Sequence, residues 1–135
     1  MADLITLASY KEAEGMSTPK EDLRINALIP SVSQLIKTYC GNSFVDFYSS
    51  NKTETFNIDW STYIVQLTES PVNTIVSVQE RQSYSASYVT LTTGAYEYSL
   101  DKKTDSIFRT NSGSYQNWAK GVDSVKVVYT AGYSA

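Results

Sequence analysis

Apolar and polar positions along this chain follow two different periods, and the change falls near residue 43. Before that point large apolar residues recur every three or four positions, as on one face of a helix. Beyond it they alternate with polar residues, as in strands with one buried face. The pattern predicts an α+β chain. A short helix and a long kinked helix, over residues 1–43, should pack on a small antiparallel β part, residues 44–135, as one domain.

Thr6 offers an N-cap hydroxyl to the first helix, and Gly15 stands where a C-terminal glycine belongs. The stretch Thr18-Pro19-Lys20-Glu21 reads as a capping box for the second, with Thr18 as N-cap and Pro19 at the first helical position. Ile25, Leu28, Ile29, Val32, Leu35, Ile36 and Tyr39 then form one apolar face, and Gly41 closes the helix. Pro30 falls inside this face. It removes a backbone hydrogen bond and crowds the preceding turn, so a kink is expected there, with the face staying in phase across it.

In the β part, "SFVDFYSS" and "ETFNIDW" alternate, the latter placing Phe56, Ile58 and Trp60 on one face. "TYIVQLTESPV" and "NTIVSVQERQSY" follow as strands, and "SYVTLTTGAYEYSLDKKTDSIFRT" as short strands joined at "TTG" and "DKKTD". "NSGSYQNWAKG" reads as a polar loop carrying two aromatic residues, and "DSVKVVYTAGY" as the last strand. Turn signals this frequent suggest a sandwich or barrel. The Val125–Tyr129 strand is expected inside the sheet, with its end near a partner surface.

Composition narrows the chemistry. At 135 residues, 41% hydrophobic and 19% charged, the chain has ordinary globular composition. Its net charge of −3, from 11 basic and 14 acidic residues, argues against gripping duplex DNA. Cys40 is the single cysteine, so no intrachain disulfide forms. Histidine is absent, which removes Ser-His-Asp and Cys-His catalysis, His-ligated zinc and the usual general base near neutral pH. The six glycines are isolated, so no phosphate-cradling loop occurs. Asp101 and Asp105 lack the companion ligands of a calcium loop and read as a hairpin turn. Asp59, Glu69 and Glu80 form no recognisable glycosidase pair. No catalytic, metal or cofactor site is therefore expected, and no enzyme. The N-terminus lacks the pattern of a signal peptide, and the longest apolar runs fall far short of a membrane span. A soluble protein made in the cytoplasm, without a membrane partner, is the expectation.

Eleven tyrosines and two tryptophans stand out. Rings with a polar edge suit interfaces, and tyrosine equally suits strands. Trp118, in the polar loop between Gly113 and Gly121, is the first candidate for a surface contact.

Four stretches in order carry a resemblance. The first helix opens with Thr6, Leu7 and Lys11. The long helix runs into Tyr39-Cys40-Gly41-Asn42-Ser43-Phe44. A strand starts at Pro71 and continues through Val72, Ile75 and Val78. The sheet closes on Tyr129-Thr130-Ala131-Gly132-Tyr133. In these features the chain resembles the head–tail connector (adaptor, or head completion) proteins of tailed bacteriophages. The resemblance implies a structural neck protein at the head–tail interface of the virion. It would form a ring, commonly dodecameric, below the portal protein, extend the DNA channel without sequence-specific DNA binding, and dock the next neck or tail protein. On this reading Tyr48, Trp60, Tyr115, Trp118 and Tyr133 are the expected subunit or partner contacts. With −3 per copy the channel walls are expected to be negative and to leave the duplex mobile, and a lumen lined chiefly by Lys11, Lys20, Arg24 and Lys37 would contradict that. Many members continue beyond the closing stretch into C-terminal helices, whereas this sequence stops at Ala135, so no portal-docking residues are carried over. The alternative is a small β-sandwich binding module that recognises carbohydrate through exposed Trp and Tyr. It leaves the apolar helix face unexplained.

Overall fold

The computed structural model describes residues 2–93 and 97–134, so the expected "TTG" turn lies partly outside the described residues. Helix α1 (Leu7–Glu14) begins and ends as its sequence predicts. The Thr6 hydroxyl accepts the Ser9 N–H, and Gly15 closes the helix at φ +67°.

Helix α2 (Asp22–Cys40) starts later than the capping box implies, at Asp22, with Glu21 at the N-cap and no side-chain cap. The reason is a competing contact. The Lys11 ammonium donates to the Thr18 carbonyl and to Asp22, both at 2.9 Å, and so ties α1 to the turn that precedes α2. The helix then passes through Pro30 without interruption over 19 residues and ends at Gly41, φ +67°.

The alternating stretch after Gly41 is a series of turns rather than a strand. Its first two backbone donors, those of Ser43 and Phe44, are taken by side chains, and the next bond within the turns. Asn42 Oδ1 accepts the Phe44 N–H at 2.8 Å, and Glu69 accepts both the N–H and the hydroxyl of Ser43. Local side-chain bonds of this kind compete with a ladder.

Eight strands follow among the described residues: β1 (Lys52–Ile58), β2 (Ile64–Gln66), β3 (Val72–Glu80), β4 (Val89–Thr90), β5 (Tyr98–Asp101), β6 (Ser106–Asn111), β7 (Ser114–Tyr115) and β8 (Gly121–Ala131). One sheet has the order β1-β8-β3-β4; the other has β2-β6-β5, with β7 paired to β6. Every pairing is antiparallel. The closing strand β8 lies inside its sheet, as its apolar alternation predicts. Strand β7 falls in the stretch read as a loop. Ser112 and Gly113, at φ +51° and +89°, form a two-residue turn that pairs Asn111 with Ser114.

Both sheets contribute to one core, including Val65 and Ile107 from one and Val78, Val125 and Tyr129 from the other, which makes the β part sandwich-like. No helix residue belongs to this core. The expected packing of the long helix on the sheet is therefore not how the helix is buried. Its covered side, Ile29, Ser33 and Lys37, instead receives the N-terminal segment. The Leu4 N–H donates to Ser33 Oγ at 3.0 Å, and the Lys37 ammonium holds the Ala2 carbonyl.

Candidate interaction surfaces

The helical part meets the sandwich through a polar join. Lys37 and Asp46 form an ion pair at 2.8 Å, with both side chains at least nine-tenths buried. Burial pushes the Asp46 carboxyl up, but the Lys37 hydrogen bond, the Ala2 amide and the Lys37 charge outweigh it and hold the group below its ordinary 3.8. Glu69, also buried, binds Ser43 and approaches Lys52 at 3.5 Å. Tyr129 links these groups from beneath. Its hydroxyl donates to Glu54 and accepts the Glu69 N–H at 3.1 Å. Burial, with the hydrogen bond to Glu54, pushes its phenol well above the ordinary range.

On the sandwich side, Asp105 caps the Ser70–Pro71 corner, accepting from Ser70 Oγ at 2.7 Å and from the Val72 N–H at 3.1 Å. Asp101 turns its own hairpin by accepting from the Lys103 N–H and the Thr104 hydroxyl. Both carboxylates of the "DKKTD" stretch thus serve the fold. Among the described residues no group of three or more His, Cys, Asp or Glu side chains is placed to hold a metal ion. No helix among them is long and apolar enough to cross a membrane.

The aromatic residues expected at contacts separate into different places. Tyr48, Trp60, Tyr115 and Tyr133 are exposed. Trp118 is not: it is 2% exposed and belongs to the core, which removes it as a surface contact. The Trp118 backbone N–H donates to the Thr62 carbonyl at 2.9 Å, which anchors the chain beside the smaller sheet. Beside its ring lies Arg109, paired in the interior with Glu80 at 3.3 Å, while Glu80 also accepts the Ala119 N–H. The residues flanking Trp118 in the loop are exposed or half-buried, as their polarity predicts; Trp118 alone of residues 111–121 turns inward, onto the buried Arg109–Glu80 pair.

Tyr115 has partners that the sequence reading missed. Its ring lies 4.7 Å from Tyr63 and 6.0 Å from Phe108, centroid to centroid, forming an aromatic patch on the smaller sheet with Ile64. The signal was the pairing of Ile64 with Phe108 across β2 and β6, which only the register reveals. Tyr48 and Tyr133 instead flank the polar join. The Tyr133 N–H donates to the Phe44 carbonyl and the Ala131 N–H to the Phe47 carbonyl.

An uncovered apolar face lies on α2. Leu28, Val32, Leu35, Ile36 and Tyr39 are all exposed, although they form the face that the sequence assigned to the interior. A groove of about 300 Å³ runs beside them, with Leu4, Ile5 and Tyr10 on its other wall. A contiguous apolar surface of this kind on a globular chain marks an interaction site.

Comparison with known proteins adds the decisive observation. The family model described as head completion protein matches residues 3–135. The chain belongs to the head completion protein family. No curated protein matches it. In fold it is similar to a chain in a structure titled "Neck of empty GTA particle computed with C6 symmetry". The TM-score is 0.62 at 13% identity, over 99% of this chain and 71% of that one.

Family membership gives the polar join a second meaning. The stretches Tyr39–Phe44 and Tyr129–Tyr133, far apart in sequence, meet there, where Tyr133 donates to Phe44. What looked like separate sequence marks of a head completion protein are two sides of one contact.

Proposed function

We propose that this chain is a structural adaptor of the phage neck. It forms a ring below the portal, extends the DNA channel and docks the next neck or tail protein. The observation that carries the proposal is the family match over residues 3–135. The fold likeness to a chain from a neck with C6 symmetry supports a ring, and makes six copies or a multiple of six the natural count in place of a fixed dodecamer.

Charge supports the channel role. Each copy carries −3, so a ring accumulates negative charge that repels the duplex and leaves it mobile. Of the four basic residues that would oppose this in the helical part, Lys11 and Lys37 are neutralised by Asp22 and Asp46, and Arg24 lies 3.9 Å from Glu21. The exposed aromatic residues Tyr48, Trp60, Tyr115 and Tyr133 are the proposed subunit and partner contacts. The end of β8, with Tyr133 exposed beside the join, is proposed to lie at a partner surface.

Cross-linking mass spectrometry on purified particles tests the proposal. It predicts links from this chain to the portal on one side and to a tail-proximal protein on the other. Links to the capsid shell alone would contradict it.

A further inference from the structure

The helices and the sandwich are packed separately. Ile25, Ile29 and Ser33, the buried side of α2, line one groove with Leu4, Ile5 and Tyr10 of the N-terminal segment and α1. No helix residue belongs to the sandwich core. Residues 42–47, just past α2, are fixed to the sandwich instead. Asn42 donates to the Ser70 carbonyl at 2.9 Å, and the Ser43 N–H donates to Glu69 at 3.0 Å. The Phe44 carbonyl accepts the Tyr133 N–H at 2.7 Å, and the Phe47 carbonyl accepts the Ala131 N–H at 2.9 Å.

Between these two bodies the hydrogen bonds converge on one atom. Among the described residues, Asp46 Oδ1 accepts both the Lys37 ammonium and the Ala2 N–H, each at 2.8 Å. The one other hydrogen bond from residues 2–41 to the rest of the chain is the closing bond of α2 itself, from the Asn42 N–H to the Lys37 carbonyl at 3.3 Å. Gly41 therefore stands alone between two anchored bodies. It has φ +67°, and a Cβ built on it would meet nothing within 4 Å. A few residues of this kind, at the end of an element, are what a hinge needs.

We infer that α1, α2 and the N-terminal segment form an arm that undocks from the sandwich about Gly41, and that the Asp46 carboxylate is its latch. Removing one member of a buried ion pair strands the other, but opening the arm returns Lys37 and Asp46 to water together, so hydration offsets much of the lost attraction. The sandwich core stays covered. Undocking therefore belongs with the local openings that lie below global unfolding in free energy. Because the arm carries the uncovered face of α2, its angle re-aims that face while the sandwich stays in place. The inference stands apart from the neck reading and is tested on the isolated chain.

Spin labels at S31C on α2 and T53C on β1, both exposed positions, report the arm angle by double electron–electron resonance in a C40S background. A second pair, E12C with S31C, lies within the arm. With Asp46 present, the 31–53 pair should give one narrow distance. Asp46→Ala should replace it with a broad distribution and leave the 12–31 distance unchanged. With Asp46 intact, urea should broaden the 31–53 distances at concentrations where the near-ultraviolet circular dichroism of the sandwich persists, a measurement that decides the matter even if Asp46→Ala fails to fold. A narrow 31–53 distance in folded Asp46→Ala would overturn the inference. So would broadening in urea that coincides with loss of the sandwich signal.

Discussion

A Cβ built on Gly132 would lie 1.9 Å from the carbonyl oxygen of Phe44. The end of the closing strand and the segment after α2 thus touch backbone to backbone, and only glycine permits it. Gly132 also has φ +97°, a second reason against a side chain. Gly132→Ala should cost about 2–4 kcal/mol, the range for strain combined with a backbone clash. Gly41→Ala provides the control. Gly41 also has positive φ but open space around it, so only the conformational cost of about 1 kcal/mol applies. Urea denaturation of both variants measures the difference.

The Lys37–Asp46 pair makes the join acid-sensitive. Asp46 titrates below its ordinary 3.8 in the folded chain. A lowered folded value means the stabilisation is complete above the unfolded value and is lost as pH falls through the folded one. Asp46→Asn should cost about 3 kcal/mol near neutral pH, because it leaves Lys37 buried without its partner. It should also flatten the fall in stability below about pH 4. Denaturation midpoints of the two proteins across an acid series check both statements.

Trp118 and Tyr115 should respond in opposite ways. Trp118→Ala opens the core and should cost about 3–5 kcal/mol. Tyr115, 70% exposed, should change stability by no more than about 0.5 kcal/mol when replaced by alanine. If the aromatic patch is a contact, Tyr115→Ala should still reduce incorporation into particles. Thermal melts and quantitative blotting of purified particles separate the two effects.

Tyr129→Phe removes a hydroxyl that bridges Glu54 and the Glu69 N–H inside the join. The change leaves a buried donor without its acceptor, at a cost of about 1–3 kcal/mol. Hydrogen exchange at the Glu69 amide should accelerate, and unchanged exchange would show that the bridge contributes little.

What the sequence conveyed and what it hid have physical causes. Gly15 and Gly41 were legible as helix ends because a left-handed cap needs glycine whatever the tertiary context. Strand β8 was legible because a central strand buried on one face carries a clear alternation. The start of α2 was misread because Lys11, one helix away, engages Thr18 and Asp22. The stretch after Gly41 alternates like a strand, yet Asn42 and Glu69 bind its backbone donors. Trp118 sits among polar residues that are exposed, and its ring alone turns into the core, which local polarity does not reveal. The apolar face of α2 was visible from its period, but period alone does not say whether the covering surface belongs to the same chain.

The central claim, a structural place in the neck, is tested most directly by cryo-electron microscopy of intact particles. The account predicts density fitting this fold in a ring between portal and tail, with six copies or a multiple of six and an acidic lumen. Particles that lack the chain, or that carry it away from the portal axis, would contradict it.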